Sequence, residues 1–72
     1  MDKFEPAIQK LAIYCKEKGL PLPTYEVLEK EPNGSARVIL NHGMDSPVSE
    51  HGNSIADAAE SAAKLVVMAF KI

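Results

Sequence analysis

Apolar positions recur at helical spacing at both ends of the chain and follow a strand-like pattern in the middle. In "DKFEPAIQKLAIYCKEKGLP", Phe4, Ile8, Leu11, Ala12 and Cys15 fall on one side of a helix. Pro6 suits the first turn, where no intrahelical hydrogen bond is lost. Gly19 supplies a left-handed stop, Leu20 is placed to pack back, and Pro21 forbids continuation. The next stretch, "PTYEVLEKEPNGSARVILNHG", reads as a β-hairpin, with Tyr25, Val27 and Leu28 before the turn and Val38, Ile39 and Leu40 after it. Asn33-Gly34 is the turn signal, because both central positions of a tight hairpin favour positive φ. A short edge strand follows in "SPVSEHGN", where Pro47 discourages wrong pairing.

The closing segment, "GNSIADAAESAAKLVVMAF", opens with Ser54 as N-cap and Asp57 three residues later in a capping-box pattern. Ile55, Ala58, Ala59, Ala62, Leu65, Val66 and Ala69 make one stripe of mostly small residues, which lets a helix lie close to a sheet. The expected architecture is α+β in the order α-β-β-β-α, a three-stranded antiparallel sheet with two helices packed on one face. Residues 1–72 make a single domain.

Composition narrows the function classes. Eight basic residues against ten acidic ones give a net charge of −2, which weighs against strong phosphate binding. The one cysteine, Cys15, cannot form an internal disulfide and suits a reducing, intracellular compartment, cytoplasm or nucleus. No apolar run is long enough to cross a bilayer, and no Cys/His cluster has zinc spacing. His42 and His51 lack a nucleophile setting, and Cys15 falls on an apolar stripe. Glu26 and Glu29, at odd separation, are expected on opposite strand faces. The chain reads as a non-enzyme without cofactor or metal.

The stretches "KEKGLPLPTYEV", "EPNGSARV" and "AAESAAKLVV" resemble the double-stranded-RNA-binding domain family, over nearly the whole chain. The resemblance implies the same helix, three-strand, helix order, and RNA contact through three patches. In the first helix, the family's polar contact residues correspond to Ala12 and Ile13, neither of which can hydrogen-bond a 2′-hydroxyl. In the hairpin loop, the family's Gly-Pro-x-His becomes Glu31, Pro32, Asn33 and Gly34. At the last helix, Lys-Lys-x-Ala-Lys becomes Ile55, Ala56, Asp57, Ala58 and Ala59, so the three lysines are lost while Asp57 and Glu60 would repel phosphate.

The resemblance therefore implies a degenerate member, a non-catalytic module used mainly for protein–protein contact or dimerisation in an RNA-related complex. It would be a piece of a larger RNA-processing or RNA-silencing protein. "KLVVMAF" is apolar nearly all round, leaving Val67, Met68 or Phe70 outward, and family pairing through the third strand adds Val48, Ser49 and Glu50. The expected partner is a protein or a second copy, with no membrane. The alternative is weak or atypical double-stranded-RNA binding: Lys3, Lys10, Lys16 and Lys18 make the first helix basic, and Lys10, Asn33 and Lys64 are its candidate residual contacts.

Overall fold

The helix expected over the first segment forms as α1, Ala7–Glu17, and the computed structural model describes residues 6–43 and 46–72. Lys3 and Phe4, assigned above to the basic and apolar sides of this helix, lie outside the described residues. Pro6 is the N-cap, one position ahead of the expected first turn, with extended backbone (φ −61°, ψ 143°). Ala7, Leu11 and Cys15 are buried, with Ile8 packed beside them. The stop is as the residues suggest. Gly19 has φ 71°, and Leu20 N–H donates to the Cys15 carbonyl at 2.8 Å while its side chain joins the core.

Three strands follow, β1 (Thr24–Lys30), β2 (Ala36–Asn41) and β3 (Val48–Gly52), in an antiparallel sheet of order β1-β2-β3. The hairpin turn differs from expectation. Gly34 has φ 100°, but Asn33 does not take positive φ. Gly34 N–H donates to the Glu31 carbonyl at 2.9 Å, and Glu31 N–H donates to that of Ser35 at 2.8 Å. This is a type I turn with Pro32 at its second position, followed by a left-handed glycine. Asn33 contributes through its side chain, whose Oδ1 accepts from Ser35 N–H and Oγ at 3.0 and 2.8 Å. Proline holds the φ a type I turn needs, and this overrides the two-residue turn that Asn-Gly alone suggests.

Register decides which side chains meet. Ala36, Val38 and Leu40 of β2 are buried on the helix-facing side, opposite Lys30, Val27 and Tyr25 of β1 and Gly52, Glu50 and Val48 of β3. The register shifts between Val27 and Glu29, so Leu28 is an extra residue. That bulge reverses the parity expected for Glu26 and Glu29. Both face the open side, opposite Ile39 and Arg37, and Glu29 Oε1 lies 3.8 Å from Arg37 Nε in an exposed pair that adds little stability.

The last helix, α2, runs Ile55–Ala69 and packs on β2, β3 and α1. Ser54 Oγ accepts from Asp57 N–H at 3.0 Å, as its capping pattern predicts. The apolar stripe is turned from its expected position: Ala58, Ala59, Ala62, Ala63 and Val66 are buried, while Ile55, Leu65 and Ala69 are exposed. Two neighbours explain the turn. The helix must face α1 as well as the sheet, and Ala63 joins the cluster of Ala7, Leu11, Cys15, Leu40, Ala62 and Val66 that binds the two helices to β2. At its C-terminus, Lys71 takes the left-handed conformation (φ 56°) and Ile72 N–H donates to the Val67 carbonyl at 2.9 Å, repeating the device that closes α1.

The backbone of α2 approaches the sheet closely at Gly52, where a Cβ would lie 2.5 Å from Ala58 N and 2.8 Å from the Asp57 carbonyl carbon. Backbone fills that space, so no side chain can move aside. Gly52→Ala is expected to destabilise the fold by at least about 2 kcal/mol, as overpacking of a rigid contact does. Thermal or urea unfolding of the variant checks this, and an unchanged midpoint would contradict the close approach.

Candidate functional surfaces

The start of α2 and the hairpin loop share one end of the sheet. A Cβ on Gly34 would lie 3.7 Å from the Asn53 carbonyl oxygen. This end therefore carries Pro32, Asn33, Gly34, Ile55 and Ala56 together. Ile55 is 41% exposed and Ala56 is exposed, so the turn that the resemblance assigns to phosphate contact presents neutral side chains and then Asp57. Ala59 does not belong to this surface. It is 8% exposed and packs with Val38 and Ala58, so its methyl group serves the core. On α1, Ala12 is half-buried and Ile13 exposed.

Glu60 has a different role from the one its charge suggests. Its carboxylate accepts from Ala7 N–H at 2.7 Å and Ile8 N–H at 3.2 Å. These are unsatisfied donors of the first turn of α1, where Pro6 offers no side-chain cap. A carboxylate also suits the positive end of the helix dipole. Glu60 is thus an α1 cap supplied by α2, rather than a free surface acid facing phosphate. Reading the chain segment by segment misses it, because the bond spans 53 residues.

The candidate residual contacts separate. Lys64 lines an open polar cleft with His51, Asn53, Asp57, Glu60 and Ser61. Two carboxylates there oppose the cation, so the cleft is not a phosphate cradle. Lys10 lies elsewhere, in a groove with Ile13, Tyr14, Glu17 and Ile72. Asn33 Oδ1 is held within its own turn.

The candidate protein-contact residues also divide. Met68 is 68% exposed, but Val67 is half-buried and packs against the core. Phe70, near the end of α2, meets His42 edge-on at 6.0 Å between ring centroids. Val48 and Glu50 share the helix-facing side of β3, whereas Ser49 faces the open side with Ile39. Leu65, which the apolar stripe assigned to the core, is 44% exposed and adjoins Met68 one turn away on α2. Leu65 and Met68 therefore form an outward apolar pair in the C-terminal half of α2, separate from exposed Ile55 at its start.

Burial disfavours the charged forms of two groups in the interior. Burial pushes the Cys15 thiol upward, which makes it a poor nucleophile near neutral pH. Burial, and then the charges of Glu60 and Cys15, raise Tyr25 above its ordinary value. The Tyr25 hydroxyl is buried without a hydrogen-bond partner among the described residues. Those residues also hold no group of three His, Cys, Asp or Glu side chains placed to bind a metal, and no helix long and apolar enough to cross a membrane. No protein-family model matches the chain, and a search of curated proteins finds no match.

Two substitutions test this interior. Glu60→Ala is expected to lower stability by about 1–2 kcal/mol, with a smaller loss for Glu60→Gln, which keeps one acceptor; hydrogen exchange at Ala7 and Ile8 should report the lost cap directly. Tyr25→Phe removes a hydroxyl that burial leaves unsatisfied and should stabilise the fold by about 1 kcal/mol. Because folding raises the Tyr25 pKa, its contribution is complete below the unfolded value near 10 and declines as pH rises above it. Urea unfolding of wild type and Tyr25→Phe from neutral to alkaline pH should show that the variant lacks this decline.

Proposed function

We propose that the chain is a non-catalytic module of the double-stranded-RNA-binding kind, with a degenerate RNA face, used mainly for protein–protein contact or dimerisation. The observation that carries this reading is the exposed first turn of α2. Ile55, Ala56 and Asp57 stand beside the hairpin loop, where duplex binding calls for cations. Removing those cations removes the counterion release that drives most phosphate binding. Exposed Leu65 and Met68 on α2 offer a surface suited to a protein. An intracellular setting within an RNA-processing or RNA-silencing assembly belongs to the same proposal.

No catalytic role is assigned. His42 packs on Phe70, and the Cys15 thiol is buried. The second reading is weak RNA binding. It is favoured by the nearness of the hairpin loop to the start of α2, since two of the three contact patches implied by the resemblance then lie side by side.

A duplex of about 16 base pairs, the span of such domains, separates the two readings. The wild-type chain is expected to show no saturable binding at physiological salt, by chemical-shift titration or fluorescence anisotropy. Ile55→Lys combined with Ala56→Lys should introduce salt-sensitive binding, with a log–log salt slope steeper by about 1–2 for one or two phosphate contacts. Tight, salt-sensitive capture by the unmodified chain would overturn the proposal.

A further inference from the structure

The outward side of α1 carries a second apolar surface with charged ends. Lys10, Ile13, Tyr14 and Glu17 fall at i, i+3, i+4 and i+7, and with Ile72 they line one groove. Ile13 is 43% exposed, and the Lys18 ammonium lies 5.7 Å from the centroid of the half-buried Tyr14 ring. We infer that this ridge joins two copies of the chain through antiparallel α1 helices related by a two-fold axis. This deepens the protein-contact reading by naming an occupant, and it rests on that reading while using a different surface from Leu65 and Met68.

Charge order along the ridge selects a second copy in that orientation. Cation, apolar, apolar, anion becomes its own complement when the helix is reversed. With the axis between Ile13 and Tyr14, Lys10 faces the second copy's Glu17 and Glu17 faces its Lys10. Ile13 then meets the second copy's Tyr14, and Tyr14 its Ile13. A parallel pair would oppose like charges at both ends. A two-fold interface demands this self-complementarity, whereas an unrelated partner does not. Ile13, Tyr14 and Ile72 supply the apolar centre, and the exposed charge pairs set orientation more than affinity. The ridge is about 10 Å long, so the contact is smaller than a standard interface and the dimer is weak and concentration-dependent.

Sedimentation of the whole chain from about 10 μM to about 1 mM tests the inference. A concentration-dependent dimer is expected. Lys10→Glu and Glu17→Lys should each weaken it by about tenfold or more, because each sets like charges opposite one another at both ends. The double exchange, Lys10→Glu with Glu17→Lys, should restore it, and circular dichroism should show all variants folded. Met68→Lys should leave it unchanged. A monomer throughout, a dimer indifferent to the single exchanges, or folded single variants not rescued by the double one would overturn the inference. So would a dimer abolished by Met68→Lys, but that result would leave the protein-contact reading standing on α2. The RNA titration decides that reading independently.

Discussion

The backbone of α2 comes down on Gly52, and this approach governs the rest of the molecule. A Cβ at Gly52 would overlap the backbone of Asp57 and Ala58. The residues around it are also small: Ala36 stands opposite Gly52 in the sheet, and Ala58 and Ala59 pack against Val38. At this separation, close packing takes the place of large side chains. Among the described residues the largest fully buried side chains are Leu11, Leu40, Val38, Val66 and Cys15, none of them aromatic, and a core of such side chains tolerates little slack.

Seating α2 at this depth fixes what the helix can reach. Its first turn is placed beside the hairpin loop, and its second turn delivers Glu60 to the start of α1. The two helices are thus joined by a charge-assisted polar contact at one end and an apolar cluster along their length. The same residue changes the electrostatic reading of the surface. Glu60 keeps its charge, but the positive end of the α1 dipole offsets part of it, so loss of cations weighs more heavily against duplex binding than gain of acids.

Order and type of every element were legible in the residues from local signals at Gly19 with Pro21, Asn33 with Gly34, and Ser54 with Asp57, although the hairpin turn itself takes a different type. Three features were not. The bulge at Leu28 leaves no mark in a run of Glu, Val, Leu and Glu, yet it reverses the facing of Glu29. The stripe of α2 was misplaced because alanine fits many orientations, and only contact with α1 selects Ala63 over Leu65. The Glu60 cap joins residues with no local relation. At the candidate surfaces, the missing cations and the place of Ala59 on the apolar stripe were plain from the sequence, whereas the outward facing of Leu65 required the packed helices.

The bulge at Leu28 also bears on how this chain behaves in a crowded cell. Among the described residues the sheet has two open margins, each offering unpaired peptide groups to any passing strand. On β1 the extra residue bends the ladder midway, so a straight intruder cannot follow it from Thr24 to Lys30. On β3 the run is short, Pro47 lacks a donor at its entrance, and the Glu50 carboxylate points to the helix-covered side, where an added strand would have to accommodate it. Both margins thus disfavour the addition of a further strand.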